Sequence, residues 1–247
     1  MEREFSIVGA GCIGNFLYDQ TKGRIYDRNS AKVLHESSHD IIVITAPTST
    51  RLYVKEHQEQ DLKNCDDLVN LLSHCRYNAL VHVSTVDVYN SRASDSALPS
   101  DIRPSAAYGH NRRYLEQKLQ QFPNCHTIRL PTIIHSSVKK NLLFDIKNMT
   151  WLDKINLENQ VQWYPLTRLK QDIVSVVETN SRFENFTSEP ITNIEIVSRY
   201  RPNLIQILEK NKSCDKMVYN VKSSQCDYRV SAQETWSAFD QYFKIEI

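Results

Sequence analysis

Apolar and polar positions alternate along the first half of this chain on two different periods. Glu4 to Val8 is a short apolar run of strand length, and Cys12 to Tyr18 follows with the spacing of a helix. A second strand is read over Arg24 to Asp27. Asp40 to Thr45, in sequence Asp-Ile-Ile-Val-Ile-Thr, is β-branched and apolar in the manner of a strand covered on both faces of a parallel sheet. From Gln58 to His74 the residues Leu62, Cys65, Leu68, Val69 and Leu72 recur at helical spacing. Leu80 to Ser84 reads as a strand, Ala107 to Gln121 as a helix, and Thr127 to Leu130 as a strand closed by Pro131. This alternation predicts βαβ units, hence a parallel sheet with helices on both faces.

The remaining 116 residues differ in character. Helices are expected near Leu142 to Lys147, Leu166 to Glu178, Thr192 to Val197 and Ala232 to Phe243, with short strands near Val161 to Tyr164 and Met217 to Val221. The expected organisation is an α/β domain over residues 1–131 and a small mixed lobe over 132–247, some of whose segments return to the first domain.

Composition narrows the function classes. Thirty basic and 29 acidic residues give a formal charge of +1 without a sustained basic run, so a nucleic-acid partner is not expected. No apolar run spans a bilayer, and the acidic N-terminus reads as neither signal peptide nor anchor. Six cysteines without a C-x-x-C pair or a histidine at ligand spacing read as free thiols of a cytoplasmic protein, with no metal site. Three matches to the N-glycosylation pattern, at Asn148, Asn185 and Asn211, are read as chance in that setting.

The chain has only five glycines, and three of them fall in Gly9-Ala10-Gly11-Cys12-Ile13-Gly14, behind the first strand and opening the first helix. In that context G-x-G-x-x-G is a dinucleotide signature. The first glycine permits the tight turn, the second lets backbone approach a pyrophosphate, the third lets helix and strand pack closely, and Cys12 and Ile13 lie at the helix N-terminus with its amide donors. Asp27 lies 18 positions after Gly9, where a carboxylate binding the adenosine ribose belongs, and favours NAD. Arg28 and Asn29 follow at once and suit a 2′-phosphate instead. The balance leans very slightly to NADP(H).

The fourth strand runs into Ser84-Thr85-Val86-Asp87-Val88-Tyr89, and Tyr108-Gly109-His110-Asn111-Arg112 follows. Together with the glycine loop, these segments resemble the extended short-chain dehydrogenase/reductase family, the NAD-dependent epimerases and dehydratases. Arg129-Leu130-Pro131 and Tyr164-Pro165-Leu166 leading to Asp172 resemble that family's second half. The resemblance implies a Rossmann-type parallel sheet with a small substrate lobe, and Tyr108 exchanging a proton with a sugar hydroxyl or carbonyl while hydride moves at the nicotinamide. Thr85 would hydrogen-bond the reacting oxygen.

Where the family carries lysine this chain carries Arg112, one helical turn from Tyr108 on the same face, which would offer its charge to the phenol and to the nicotinamide ribose. By the same resemblance Ala46, Pro47 and Pro131 line the cofactor, while Ser84, Asp87, Asn141 and Arg168 face substrate. Asp87 is read equally as a substrate contact or a loop cap, and Lys139 and Lys140 as a solvated face or part of a phosphate site. His110 is read as exposed and structural. The expected substrate is a sugar, nucleotide-linked, and the expected assembly a homodimer. The alternative is a catalytically silent NAD(P)-binding protein with a sensing or scaffold role.

Overall fold

A computed structural model describes residues 3–47, 50–89, 102–211, 216–223 and 226–244. In chain order the elements are β1 (Phe5–Val8), α1 (Cys12–Thr21), β2 (Arg24–Tyr26), β3 (Ser38–Ile44), α2 (Arg51–Glu56), α3 (Gln58–Leu72), β4 (Arg76–Thr85), α4 (Ala107–Leu119), β5 (Cys125–Leu130) and β6 (Thr132–Ile134). Then come α5 (Leu142–Asn148), β7 (Gln160–Val161), β8 (Trp163–Pro165), α6 (Leu169–Glu178), β9 (Phe183–Asn185), β10 (Ile191–Thr192), α7 (Asn193–Tyr200), α8 (Ile205–Leu208) and α9 (Ala232–Lys244).

Contacts divide the chain into two units. The first runs up to Tyr89 and includes Ile102–Arg129 and Thr167–Glu184; the second holds Leu130–Leu166 and the chain from Asn185 onward. In the first unit lies a Rossmann-type six-stranded sheet in the order β2-β1-β3-β4-β5-β9, in which β1 runs parallel to β2 and β3, and β3 parallel to β4. The strand order reverses between β1 and β3. At such a switch point the connections leave in opposite directions and open a crevice at the carboxyl ends of the strands, where α/β sheets bind ligands.

Burial explains the helices of this unit. On α3 the buried positions are Asp61, Cys65, Leu68 and Leu72, and on α4 they include Arg112, Leu115, Glu116 and Leu119. Each stripe keeps helical spacing, yet each carries charge among its apolar residues, and a buried charge persists only when paired and hydrogen-bonded. Glu116 is so paired. It accepts from Arg129 Nε at 2.8 Å and Nη2 at 2.8 Å, from Ser84 Oγ at 2.7 Å and from Arg113 Nη1 at 3.1 Å. Arg129 Nη1 also donates to the Tyr89 hydroxyl at 2.8 Å. This network ties α4, β4 and β5 together inside the core.

The second unit has its own apolar cluster, built from Ile134, Leu143, Ile146, Trp163, Ile196, Val197, Leu204 and Phe239 among others. Two strand expectations are corrected here. Val161 to Tyr164 is not one strand, because Gln162 turns its amide inward to donate to Ser188 O at 2.7 Å and Val221 O at 2.9 Å, which splits the run into β7 and β8. Met217 to Val221 is no strand but carries a single bridge, Gln160 to Val218. Side chains replace the ladder there: Met217 N donates to Asn159 Oδ1 at 2.8 Å and Val221 N to Gln162 Oε1 at 2.7 Å. The helix expected from Leu166 begins at Leu169, after a tight 3-10 turn. Among the described residues no helix is long and apolar enough to cross a membrane.

His82, on β4, is buried and its Nδ1 has no hydrogen-bond partner. Burial pushes its pKa down to about 4; Glu116 opposes the shift, and Arg112 and Arg129 reinforce it. The fold therefore holds the neutral ring, while the unfolded chain takes up a proton below about 6.5. The stability this group contributes is complete above pH 6.5 and is lost as pH falls from there to about 4, a total of about 3 kcal/mol at 1.36 kcal/mol per pKa unit. Urea denaturation at pH 7 and pH 4.5 should show the wild type losing about 2–3 kcal/mol more than His82→Leu; equal losses would refute the assignment.

Candidate functional site

The carboxyl ends of β1 and β3 meet at the switch point, where Val8 pairs with Ile44 and the chain continues into Gly9 and Thr45. Gly9 has φ +119°, and a methyl there would lie 2.7 Å from Thr45 Oγ1 and 2.8 Å from Ala46 N. Gly14 is tighter: its Cβ would stand 1.8 Å from the Gly9 carbonyl oxygen. Gly11 meets nothing within 4 Å. The carbonyls of the loop are all engaged, since Thr45 Oγ1 donates to Gly9 O at 2.8 Å and Asn15 Nδ2 donates to Ala10 O at 2.8 Å and Gly11 O at 3.0 Å.

The amides are disposed otherwise. The first turn of α1 carries neither a side-chain cap nor an acidic residue, so the N–H groups of Ile13 and Gly14 stand where a helix start leaves donors outside its own hydrogen-bond ladder. With carbonyls tied back, a dipole end exposed and open space at Gly11, the loop fits a dinucleotide pyrophosphate.

Asp27 stands just past β2. Its Oδ1 accepts from Asn29 N at 3.0 Å, Ser30 N at 2.8 Å and Ser30 Oγ at 2.7 Å, and the Ser30 hydroxyl bond holds its carboxyl below the usual range. One carboxylate oxygen is thus spent on its own turn. Arg28 and Asn29 beside it are exposed. Ala46 and Pro47, joined by a cis peptide, are half-buried directly after Thr45, and Pro131 is buried directly after β5.

Gly109 brings the tyrosine helix onto the end of β4. A Cβ at Gly109 would lie 2.1 Å from the Asp87 carbonyl oxygen, so α4 can approach the Val86–Val88 turn only because position 109 lacks a side chain. Thr85 caps that turn, its Oγ1 accepting from Asp87 N at 3.2 Å, which leaves the hydroxyl proton to donate elsewhere. Tyr108, the residue before Gly109, is half-buried on this contact. Burial raises its pKa, with Asp87 and Asp61 acting in the same direction and Arg112 and Arg51 opposing.

Arg112 is shared between Tyr108 and α3. Its guanidinium carbon lies 4.9 Å from the centroid of the Tyr108 ring, but Nη2 donates to both Asp61 oxygens at 2.6 Å and Nη1 to Cys65 Sγ at 3.8 Å. Asn111 Nδ2 completes the group, donating to Asp61 Oδ2 at 2.8 Å. A single nitrogen, Nη2, makes both bonds across to α3, while the buried Nε has no hydrogen-bond partner. Burial pushes the neighbouring Cys65 thiol up to about 11.

The residues expected at substrate are engaged as follows. Ser84 is interior, donating to Glu116. Asp87 accepts from Arg51 Nε at 2.6 Å and Nη2 at 2.7 Å. In the second unit, Asn141 caps α5 by accepting from Phe144 N at 3.0 Å, and its amide donates to Ile133 O at 3.1 Å. Arg168, back in the first unit, pairs with Asp172 at 3.2 Å. Lys139, Lys140 and His110 are exposed.

Sequence reading missed Thr45, Asn15, Asp61 and Arg51. Asp61 carried a usable signal, being a carboxylate one turn before Cys65 on the buried stripe of α3. Arg51 carried none, since nothing in a short polar stretch announces a partner at residue 87.

No protein-family model and no curated protein sequence matches the chain. Solved structures do match it in fold. The UDP-N-acetylglucosamine 4-epimerase of Bacillus cereus is 12% identical with a TM-score of 0.69, covering 98% of each chain. The RMD protein of Pseudomonas aeruginosa, solved with NADPH, is 10% identical with a TM-score of 0.71, covering 98% of this chain and 99% of that one. A GalE-like L-threonine dehydrogenase from Cupriavidus necator is 11% identical with a TM-score of 0.67, again covering 98% and 99%. The chain shares the Rossmann-type α/β fold of these epimerases, reductases and dehydrogenases.

Proposed function

We propose that this chain binds NAD(P)(H) and acts as an oxidoreductase or epimerase on a sugar, nucleotide-linked, with Tyr108 exchanging the proton. The observation that carries the reading is the space at Gly11. The other four glycines each stand where a Cβ would strike the protein itself, whereas Gly11 is kept bare at the uncapped start of α1 with nothing of the protein to accommodate. That is the arrangement a close-lying pyrophosphate requires.

When bound, the nicotinamide supplies or accepts the hydride. The chain's own residues do the rest. The Cys12, Ile13 and Gly14 amides bind the pyrophosphate, Ala46 and Pro47 line the cofactor side of the switch point, Thr85 orients the reacting oxygen, and Tyr108 holds or receives its proton. Support for NADP(H) comes from Asp27, whose Oδ1 is consumed within its turn, and from exposed Arg28 beside it. Support for a sugar substrate comes from the fold shared with an epimerase of UDP-N-acetylglucosamine. A silent NAD(P)-binding role is the second reading, favoured by the commitment of Arg112 to Asp61.

Gly11→Ala should leave the thermal melting temperature almost unchanged, since alanine at an N-cap costs about 1 kcal/mol or less relative to glycine. It should nevertheless weaken NADPH binding, followed by nucleotide fluorescence, about tenfold or more, equivalent to 1.4 kcal/mol. Unchanged affinity sinks the nucleotide assignment. Arg28→Glu should weaken NADPH about tenfold while barely altering NADH, by reversing the charge offered to the 2′-phosphate. Incubation with NAD(P) and UDP-N-acetylglucosamine or UDP-glucose, followed by product analysis, reads turnover. Tyr108→Phe should lower it by about 10²–10⁴, and full turnover in that variant would remove the acid/base role.

A further inference from the structure

Two cations lie within electrostatic reach of Tyr108, and each is clamped by its own carboxylate. Arg112 covers the ring face, its guanidinium carbon 4.9 Å from the centroid, while Nη2 grips both oxygens of buried Asp61 at 2.6 Å. Arg51, at the first turn of α2, holds Asp87 in a two-bonded fork at 2.6 and 2.7 Å, and the Asp87 backbone lies against Gly109, the neighbour of Tyr108. Both carboxylates are well covered, Asp61 fully and Asp87 to all but 9%. Among the described residues the charged groups that act most on the phenol are Arg112 from α4, Asp87 from the Val86–Val88 turn, Arg51 from α2 and Asp61 from α3.

A cation stabilises a phenolate by facing its oxygen with unspent charge. Arg112 meets the ring face and shares its charge with Asp61, to which Nη2 donates at 2.6 Å, so the charge it offers a phenolate is partly spent. Each pair also presents the phenol with a compact dipole in place of a net charge. We propose that Asp61 and Asp87 are positioning residues that mask Arg112 and Arg51, keeping Tyr108 a proton-donating phenol, so that at neutral pH the site is set to reduce a carbonyl.

This rests on the oxidoreductase reading above. In the step it implies, hydride passes from a reduced nicotinamide dinucleotide to the carbonyl carbon. The C=O π pair takes the Tyr108 proton to form the alcohol O–H, the dinucleotide is left oxidised, and solvent reprotonates the tyrosinate. The upward shift of Tyr108 by burial acts in the same sense. Oxidation of an alcohol would require the opposite starting state, which the masked cations do not supply.

The test is made on cofactor-free protein, so it does not depend on turnover. The chain has 12 tyrosines, and ¹³Cζ-tyrosine labelling with Tyr108→Phe identifies the one signal needed. In the wild type Tyr108 should remain a phenol beyond pH 10. Asp87→Asn, which keeps an oxygen acceptor for Arg51 but removes the charge, should bring its midpoint down by about 1 unit, and Asp61→Asn should do likewise. Arg51→Gln, at a largely exposed side chain, should move it upward. If Asp61→Asn does not fold, Asp87→Asn and Arg51→Gln decide. A wild-type midpoint at or below 10, or one unmoved by Asp87→Asn, overturns the proposal. NADPH binding measured on the same samples separates the two readings: retained binding with a depressed Tyr108 midpoint sinks only this inference, whereas absent binding sinks the oxidoreductase reading.

Discussion

Backbone meets backbone at the glycines, and the arrangement of the first unit depends on that close approach. The carbonyl of Gly9 lies where the Cβ of residue 14 would be, the carbonyl of Asp87 where that of residue 109 would be, and the carbonyl of Phe5 where that of residue 23 would be, at 1.8, 2.1 and 2.2 Å. Overlaps of that size with backbone cannot be relieved by a side-chain rotation. They fix the seating of α1 on β1, the entry of β2 beside β1, and the seating of α4 on the end of β4. A chain with so few glycines has placed them where elements touch, and Gly11, with its open space, stands apart from that pattern.

The elements that the sequence pattern predicted well are those whose apolar period is unbroken. β3, with residues Ile41 to Ile44 all fully buried, follows from an unbroken apolar run covered on both faces, and α3, with Cys65, Leu68 and Leu72 on one stripe, from the period of 3.6. Where local pattern failed, a side chain had taken over a backbone role. Gln162 is buried within an apolar run and uses its amide to satisfy two carbonyls and one N–H, so the strand read through it divides. The α2 helix and the β6 strand are too short to leave a period at all.

The glycine loop was readable in the sequence because its chemistry is local: a turn, a helix start and a backbone approach are all encoded within six residues. The surroundings of Tyr108 were not. Asp61 is 47 positions before Tyr108 and Arg51 is 57 before it, and only the sheet topology, by setting α2 and α3 beside α4, brings their charges together. A side chain's type fixes what it can donate or accept; its partner is chosen by the fold. Ser84 illustrates this well, since a serine next to the expected reacting threonine turns inward to Glu116 and serves the core.

The arginine at position 112, where the resemblance led to an expectation of lysine, has a structural logic once Asp61 is considered with it. An ammonium reaching toward a ribose would leave the Asp61 carboxylate, fully buried on α3, dependent on Asn111 Nδ2, and a buried carboxylate left without a cation is destabilising by several kcal/mol. The guanidinium meets both oxygens of Asp61 and still lies across the Tyr108 ring, so one residue secures the α3–α4 contact and forms one wall of the site. The same pairing that joins α3 to α4 takes up, on the proposal above, part of the charge that Arg112 could give the phenol. On the proposal above, stability of the helix pair and ionisation of Tyr108 are opposed demands on Arg112.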